Sequence, residues 1–269
     1  MTVPTAAHAT AARSPAEVYE AEFVPALFGP FAETMVDAAA IRPGQRVLDV
    51  ACGTGALTRA VAARVGGAGT AIGVDANPEM LAVARRLWPG AEWIHGRAES
   101  LPVADASVDA VVSQFGLMFF DDRVAALRDM QRVLAPGGRL AVAVCGAVER
   151  SAGYGALAEL LHQLFGAAVA DAFRAPFAIG DPALLGDLAA QAGLHDAQVV
   201  QHAADVRFAS VDALVSAERD CVWTLGGLLD ETQFGLLRRE ARRVLAPFVQ
   251  ADGGVAFVMP VPVIVARKR

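Results

Sequence analysis

The sequence predicts an α/β fold, a mostly parallel sheet with helices on both faces, on three observations. Short apolar runs of strand length alternate with helical patterns between residues 46 and 145, the signature of parallel strands joined by crossover helices. A glycine turn, Cys52-Gly53-Thr54-Gly55, stands directly between the first run and a helix start. Such a turn lets a ligand approach the backbone closely. Turn signals, Arg42-Pro43-Gly44 and Pro136-Gly137-Gly138, fall where the alternation needs them.

Taken in order, residues 1–14 are rich in Ala and Thr with no continuous apolar core. They read as a flexible leader, not a secretion signal, and residues 15–269 as a single domain. Residues 15–40 carry Tyr19, Phe23, Leu27 and Phe31 at helical spacing, with Pro25, Gly29 and Pro30 expected to break them into short helices. Val47, Leu48, Val50 and Ala51 suit a strand buried on both faces. The helix from Ala56 begins with N–H groups free to meet an anionic or polar ligand group. A second strand fits residues 70–75, and the next helix starts at Pro78 with Asn77 as its cap. Strands three and four fit residues 92–95 and 108–114. Residues 121–134 are helical and end at Pro136-Gly137-Gly138, before a fifth strand over 139–145.

The second half is less regular. Helices are expected over 154–170 and from Asp181-Pro182 to Gly193, then a strand over 197–208. Residues 211–248 look mostly helical, with Gly226-Gly227 as a break, so 211–253 reads as a helical insertion placed to form a lid. The last strand, 255–266, contains Pro260 and Pro262, which favour an edge or a bulge over an unbroken central position.

Composition narrows the function classes. The 269 residues are 55% hydrophobic and 19% charged, ample for a core. No run approaches the ~18 uninterrupted apolar residues of a membrane helix, so no membrane span is expected. A net charge of −6 argues against nucleic acid as the main partner. Arg238, Arg239, Arg242 and Arg243 cluster at helical spacing and read as a solvated helix face or an interface. Cys52, Cys145 and Cys221 are too scattered for a metal site and fit a reducing, cytoplasmic setting. No metal is expected.

The glycine turn meets the dinucleotide pattern G-x-G-x-x-G only in part, because Thr58 holds the third position. Asp75 ends the second strand about 20 residues past the turn, where a ribose-binding carboxylate belongs. NAD and S-adenosylmethionine (SAM) are both allowed at this point.

Five segments in order resemble the class I SAM-dependent methyltransferases, of the ubiquinone/menaquinone-biosynthesis-like branch. They are LDVACGTG (48–55), GVDANPEML (73–81), GRAESLPVADASVDAVVSQFGLMFF (96–120), RVLAPGG (132–138) and RLAVAV (139–144). The resemblance covers roughly residues 15–210. It implies a Rossmann-like fold with a seven-stranded sheet, and SAM as cofactor with S-adenosylhomocysteine (SAH) as product. By position it puts Asp49 and Gly53 at the amino-acid end of SAM, with Gly53 and Gly55 giving backbone contact. Asp75 would bind the ribose hydroxyls, Ala76 and Met80 would flank the adenine, and Arg97, Ala98 and Glu99 would meet its edge. Many relatives have Asp where this chain has Arg97. An arginine only donates, which shifts that work to the Ala98 N–H or to Glu99. Gln114 would sit near the methionine group. Plainer readings stand beside these: Asp49 ordering the turn, and Met80 packing as core.

Methyl transfer needs alignment and water exclusion above all, and a base only for some acceptors. Of the five histidines, His162, on a helix after the fifth strand, is the candidate base; His8 lies in the leader and His95 near the adenine rim. Phe115, Leu117, Met118, Phe119 and Phe120 follow the fourth strand at the sheet edge where open α/β folds bind ligands. Tyr19, Phe23 and Phe28 join them from the first helices, and Trp223 from the insertion. An aromatic-lined pocket suits a flat or hydrophobic small molecule, such as a quinol or polyketide, methylated on oxygen or carbon. Two other readings differ in class: a SAM-binding fold repurposed for a reaction such as cyclisation, and an NAD-dependent oxidoreductase, which here lacks the third glycine and any Tyr-x-x-x-Lys pair. A homodimer is compatible with the sequence.

Overall fold

The computed structural model describes residues 13–269; the expected leader and His8 fall almost wholly outside them. One seven-stranded sheet organises the chain. It contains β1 (Arg46–Val50), β2 (Thr70–Asp75), β3 (Glu92–His95), β4 (Val108–Gln114), β5 (Leu134–Ala143), β6 (Gln198–Phe208) and β7 (Val255–Arg267). Their order is β3-β2-β1-β4-β5-β7-β6, with β7 antiparallel to both neighbours and the other pairings parallel. The order reverses between β1 and β4, and a crevice opens at the carboxyl ends of strands at such a switch point. Val47, Leu48, Val111 and Val112 are fully buried, as strands covered on both faces require.

The first helices form one continuous run: α1 (Pro15–Val18), a π-helix (Tyr19–Phe28) and α2 (Gly29–Ala38). The expected breaks at Pro25, Gly29 and Pro30 do not occur. Pro25 lies inside the π-helix, and the Gly29 N–H reaches back five residues to the Val24 carbonyl. The wider turn tolerates the missing proline N–H and eases its ring past the preceding turn. Pro30 lies in the first turn of α2, where the run passes from π to α geometry.

Next come α3 (Ala56–Val65) and α4 (Pro78–Leu87), which ends at the exposed Trp88. The Asn77 side chain accepts from the Glu79 N–H as the cap of α4. The helix α5 (Arg123–Val133) stops before Pro136-Gly137-Gly138 and passes straight into β5, so the three residues lie within the strand. The register shifts there, between Val108 and Ala110 of β4, and the Gly137 N–H turns away to the Lys268 carbonyl. The helix expected over 154–170 is two, α6 (Ala152–Phe165) and α7 (Ala167–Arg174), separated by Gly166 at φ 82°. The helix α8 (Pro182–Gln191) follows, capped by Asp181.

Strand β7 is internal, not an edge, in spite of its prolines. Its pairing with β5 ends at Val263, so the missing N–H groups of Pro260 and Pro262 break no ladder bond there. Their carbonyls still accept from Gly146 and Val144. The region 211–253 contains α9 (Val211–Asp220), a run of turns, and α10 (Glu231–Val244). The arginine cluster of α10 is an ion-paired face: Arg238 and Arg242 hold Asp212 of α9, and Arg239 and Arg243 hold Glu240. Among the described residues no helix is long and apolar enough to cross a membrane.

Candidate active site

A cavity of about 520 Å³ opens at the switch point, beyond the carboxyl ends of β1, β2 and β4. The residues just after two of these strands, Ala51 and Phe115, carry φ of 58° and 57° and both line it. Side chains rarely adopt that conformation, and such strain gathers where function fixes the backbone.

One half of the cavity is polar. Asp75 presents its carboxylate there, accepting from the Gly53 N–H at 2.8 Å on one oxygen and from the Asn77 N–H at 2.8 Å on the other. Burial raises its pKa, and these bonds oppose the rise. Each oxygen keeps a free lone pair, which suits a vicinal diol. Ala76, Met80, Arg97, Ala98 and Glu99 line the same half. The His95 ring bonds the Ala76 carbonyl at 3.0 Å. The Arg97 guanidinium is engaged by Asp121 at 2.5 Å and Glu99 at 3.4 Å, and the Glu99 carboxylate also takes the Asp121 N–H. These three side chains tie off the rim and leave the Ala98 backbone to meet a ligand.

Gln114 donates to the Phe28 carbonyl at 2.8 Å, while its Oε1 is buried without a partner. A buried orphan acceptor on a cavity wall fits a cationic donor such as an ammonium group. The half thus offers an acceptor for an ammonium, a carboxylate for a diol and an apolar slot beside Met80 for a flat ring, the three parts that SAM presents.

Two expected cofactor residues stand behind the wall instead of in it. Asp49 is buried on β1 and accepts from the Thr58 hydroxyl at 2.6 Å. Burial is the larger influence and pushes its pKa up to about 7. Gly55, at φ 88°, packs on Trp93: a Cβ there would meet the ring at 2.3 Å. Its missing side chain makes room for tryptophan under the turn.

The other half is aromatic. Tyr19, Phe23 and Phe28 from the π-helix, and Phe115, Met118 and Phe119 after β4, line it with Trp223 from the 221–230 turn. Tyr19 stacks on Phe28 with centroids 4.9 Å apart, Phe28 meets Phe115 at 5.4 Å, and Tyr19 and Phe119 both touch the Trp223 ring. The Arg59 side chain fastens this wall to α3, bonding Glu20 at 3.0 Å and the Thr54 carbonyl at 2.9 Å.

His162 is not part of the site. It is exposed on α6, whose inward face carries Tyr154, Leu157 and Leu161. Tyr154, Phe177, Cys145, Glu218 and Met259 complete the aromatic half and were not singled out from the sequence. For Glu218 a signal existed. It follows Val211, Leu214 and Val215 at helical spacing, so a carboxylate stands on an apolar helix stripe.

Residues 47–138 match the methyltransferase domain family. Over 113 residues the chain is 42% identical to the ubiquinone/menaquinone biosynthesis C-methyltransferase UbiE of Hahella chejuensis, and over 108 residues 42% identical to that of Legionella pneumophila. These stretches are 40% and 38% of this chain, and only 45% and 43% of those relatives. Among solved structures the fold is similar to the YcgJ protein of Bacillus subtilis, with a TM-score of 0.59, 20% identity, and 88% of this chain and 97% of that one covered. It is likewise similar to a phosphoethanolamine N-methyltransferase of Haemonchus contortus in complex with SAM, with a TM-score of 0.59, 18% identity, and 94% and 56% covered. The chain thus has the Rossmann-like fold of the class I methyltransferases, and its residues 47–138 match the methyltransferase domain family.

Proposed function

We propose that the chain transfers a methyl group to a hydrophobic, aromatic small molecule of quinol or polyketide type, on carbon or oxygen. The observation that carries this reading is the two-sided cavity, in which a polar half shaped for the cofactor runs directly into an aromatic half. When bound, SAM supplies a methyl group activated on a sulfonium sulfur. Asp75 holds the ribose hydroxyls, Gln114 Oε1 takes the ammonium, and Ala76, Met80 and Ala98 enclose the adenine. The aromatic wall holds the acceptor ring and excludes water, which supplies most of what a direct displacement asks of a protein. Residues 211–253 serve as the lid, with Trp223 as its contact to Tyr19 and Phe119. The UbiE relatives, named as C-methyltransferases of ubiquinone and menaquinone biosynthesis, support a quinol acceptor and attack by carbon.

Calorimetry of the purified protein with SAM, SAH and NAD tests the cofactor side. Micromolar binding of both adenosyl ligands and none of NAD is expected, and the reverse overturns the reading. Release of SAH on adding a reduced 1,4-naphthoquinone with a short prenyl chain tests the acceptor side. Turnover of small polar amines in preference to this diol would refute the acceptor class.

A further inference from the structure

Among the described residues Glu218 is the one carboxylate in the aromatic half of the cavity, and neither the cofactor nor the ion-pair networks account for it. It is 3% exposed, lines the cavity, and its Oε2 is buried with no hydrogen-bond partner. Helix α9 holds it rigidly, because Val211, Leu214 and Val215 on the same stripe are packed in the core. The polar groups around it are all weak acids or neutral: Cys145 after β5, Tyr154 of α6, and Cys221 and Thr224 in the turn after α9. Among the described residues no cation offsets its burial. Among the described residues lining the cavity the one arginine is Arg97, which stands across the switch point beside β3 and is already paired. Burying an unpaired carboxyl is costly, and a protein that needed only packing at this position is served better by leucine or methionine.

We infer that Glu218 binds the hydroxyl group of the acceptor and takes its proton as the methyl group is transferred. This rests on the proposed function and narrows it to acceptors that carry a phenolic or enolic hydroxyl. In the step, the acceptor O–H breaks and its proton passes to Glu218 Oε2. The acceptor forms its new bond to the methyl carbon, the methyl–sulfur bond breaks, and its electron pair stays on sulfur. For attack by oxygen the step ends there, and the proton leaves Glu218 to water. For attack by the neighbouring ring carbon, that carbon then loses its own proton to water, and Glu218 returns its proton to the oxygen, restoring the aromatic ring. Burial pushes the Glu218 pKa up to about 7, where a base is both available and strong enough at neutral pH.

The test compares the wild type with E218Q and E218D. SAH affinity is measured by calorimetry, and kcat/KM for a prenylated naphthalene-1,4-diol is followed from pH 5.5 to 9. SAH should bind all three proteins within about threefold, since Glu218 faces the opposite half. The wild-type profile should rise tenfold per pH unit to a bend near 7. E218Q should lose about 100-fold or more at pH 8, the usual worth of acid–base catalysis, and the bend with it. E218D should keep a bend at reduced rate. The 1,4-dimethyl ether of the same diol should compete with the diol no better in wild type than in E218Q. E218Q activity within threefold of wild type with the bend unchanged overturns the inference. So does SAH binding with no turnover of the diol by the wild type, which leaves the cofactor assignment standing. Loss of SAH binding by the wild type itself strikes the proposed function instead.

Discussion

Replacing Asp75 by asparagine or alanine puts the cofactor assignment at greatest risk. The carboxylate organises two backbone donors, Gly53 and Asn77, each at 2.8 Å, and on our reading also takes two ribose hydroxyls. A hydrogen bond to a charged group is worth about 1.5–3 kcal/mol net. Asparagine keeps one acceptor oxygen but turns an amide NH2 towards a backbone N–H. One ligand bond is lost and the turn is pushed out of place, for a cost of about 3 kcal/mol, or roughly 100-fold in SAH affinity. Alanine forfeits both ligand bonds and the anchor of the glycine turn, for about 4–5 kcal/mol and more than ~1,000-fold. Calorimetric titration with SAH measures both variants, and a parallel thermal melt checks that each is folded. A change below threefold for folded D75A would refute the ribose assignment, because the next side-chain acceptor along, Asn77 Oδ1, is already engaged as the cap of α4.

The ligand-free protein should be more stable at pH 5.5 than at pH 8 in denaturant titrations. Asp49 and Glu218 both have folded pKa values near 7, above their ordinary values of 3.8 and 4.5. The folded state therefore holds more protons between pH 4 and 7, and stability falls across that window, by an amount on the order of a few kcal/mol; equal or greater stability at pH 8 would contradict the burial of these groups. G55A should lower stability by about 1–3 kcal/mol, since the added Cβ collides with Trp93 at a φ of 88°; an unchanged melting temperature would exclude that contact. H162A should keep methyl transfer within about twofold, as expected of an exposed residue away from special features, and a tenfold loss would restore it to the site.

The elements that position the cofactor half were legible because their signals are local. Strands β2, β3 and β4, the cap Asn77 and the helix start at Asp181-Pro182 are each declared within a few residues by apolar runs, proline and polar side chains. Asp75 is found by counting from the turn. The aromatic half was legible where its residues adjoin a strand end or share a helix face, and at Trp223 in the insertion. Tyr154, Phe177 and Met259 reach the cavity from elements far apart in the chain, and no local pattern joins them. Local rules also misled where tertiary packing overrode them. Pro25 does not end its helix because a π-turn absorbs it. Pro260 and Pro262 do not make β7 an edge because β5 stops pairing before it reaches them. His162 drew attention for its chemistry, whereas its helix shows the cavity Tyr154 instead.

The placement of the tryptophans gives the molecule its own optical reporters. Of the three in the chain, Trp93 lies against Gly55 and Gly73 beneath the glycine turn, and Trp223 lies against Tyr19 and Phe119 over the aromatic half. Only Trp88 stands apart on the surface, 41% exposed, although its carbonyl accepts from the Trp93 ring N–H. With Trp88 changed to phenylalanine, the emission of the chain comes from Trp93 beneath the glycine turn and from Trp223 on the cavity wall. Trp223, which also packs on Met80, answers to a ligand in either half, while Trp93 answers only to movement of the glycine turn that covers it.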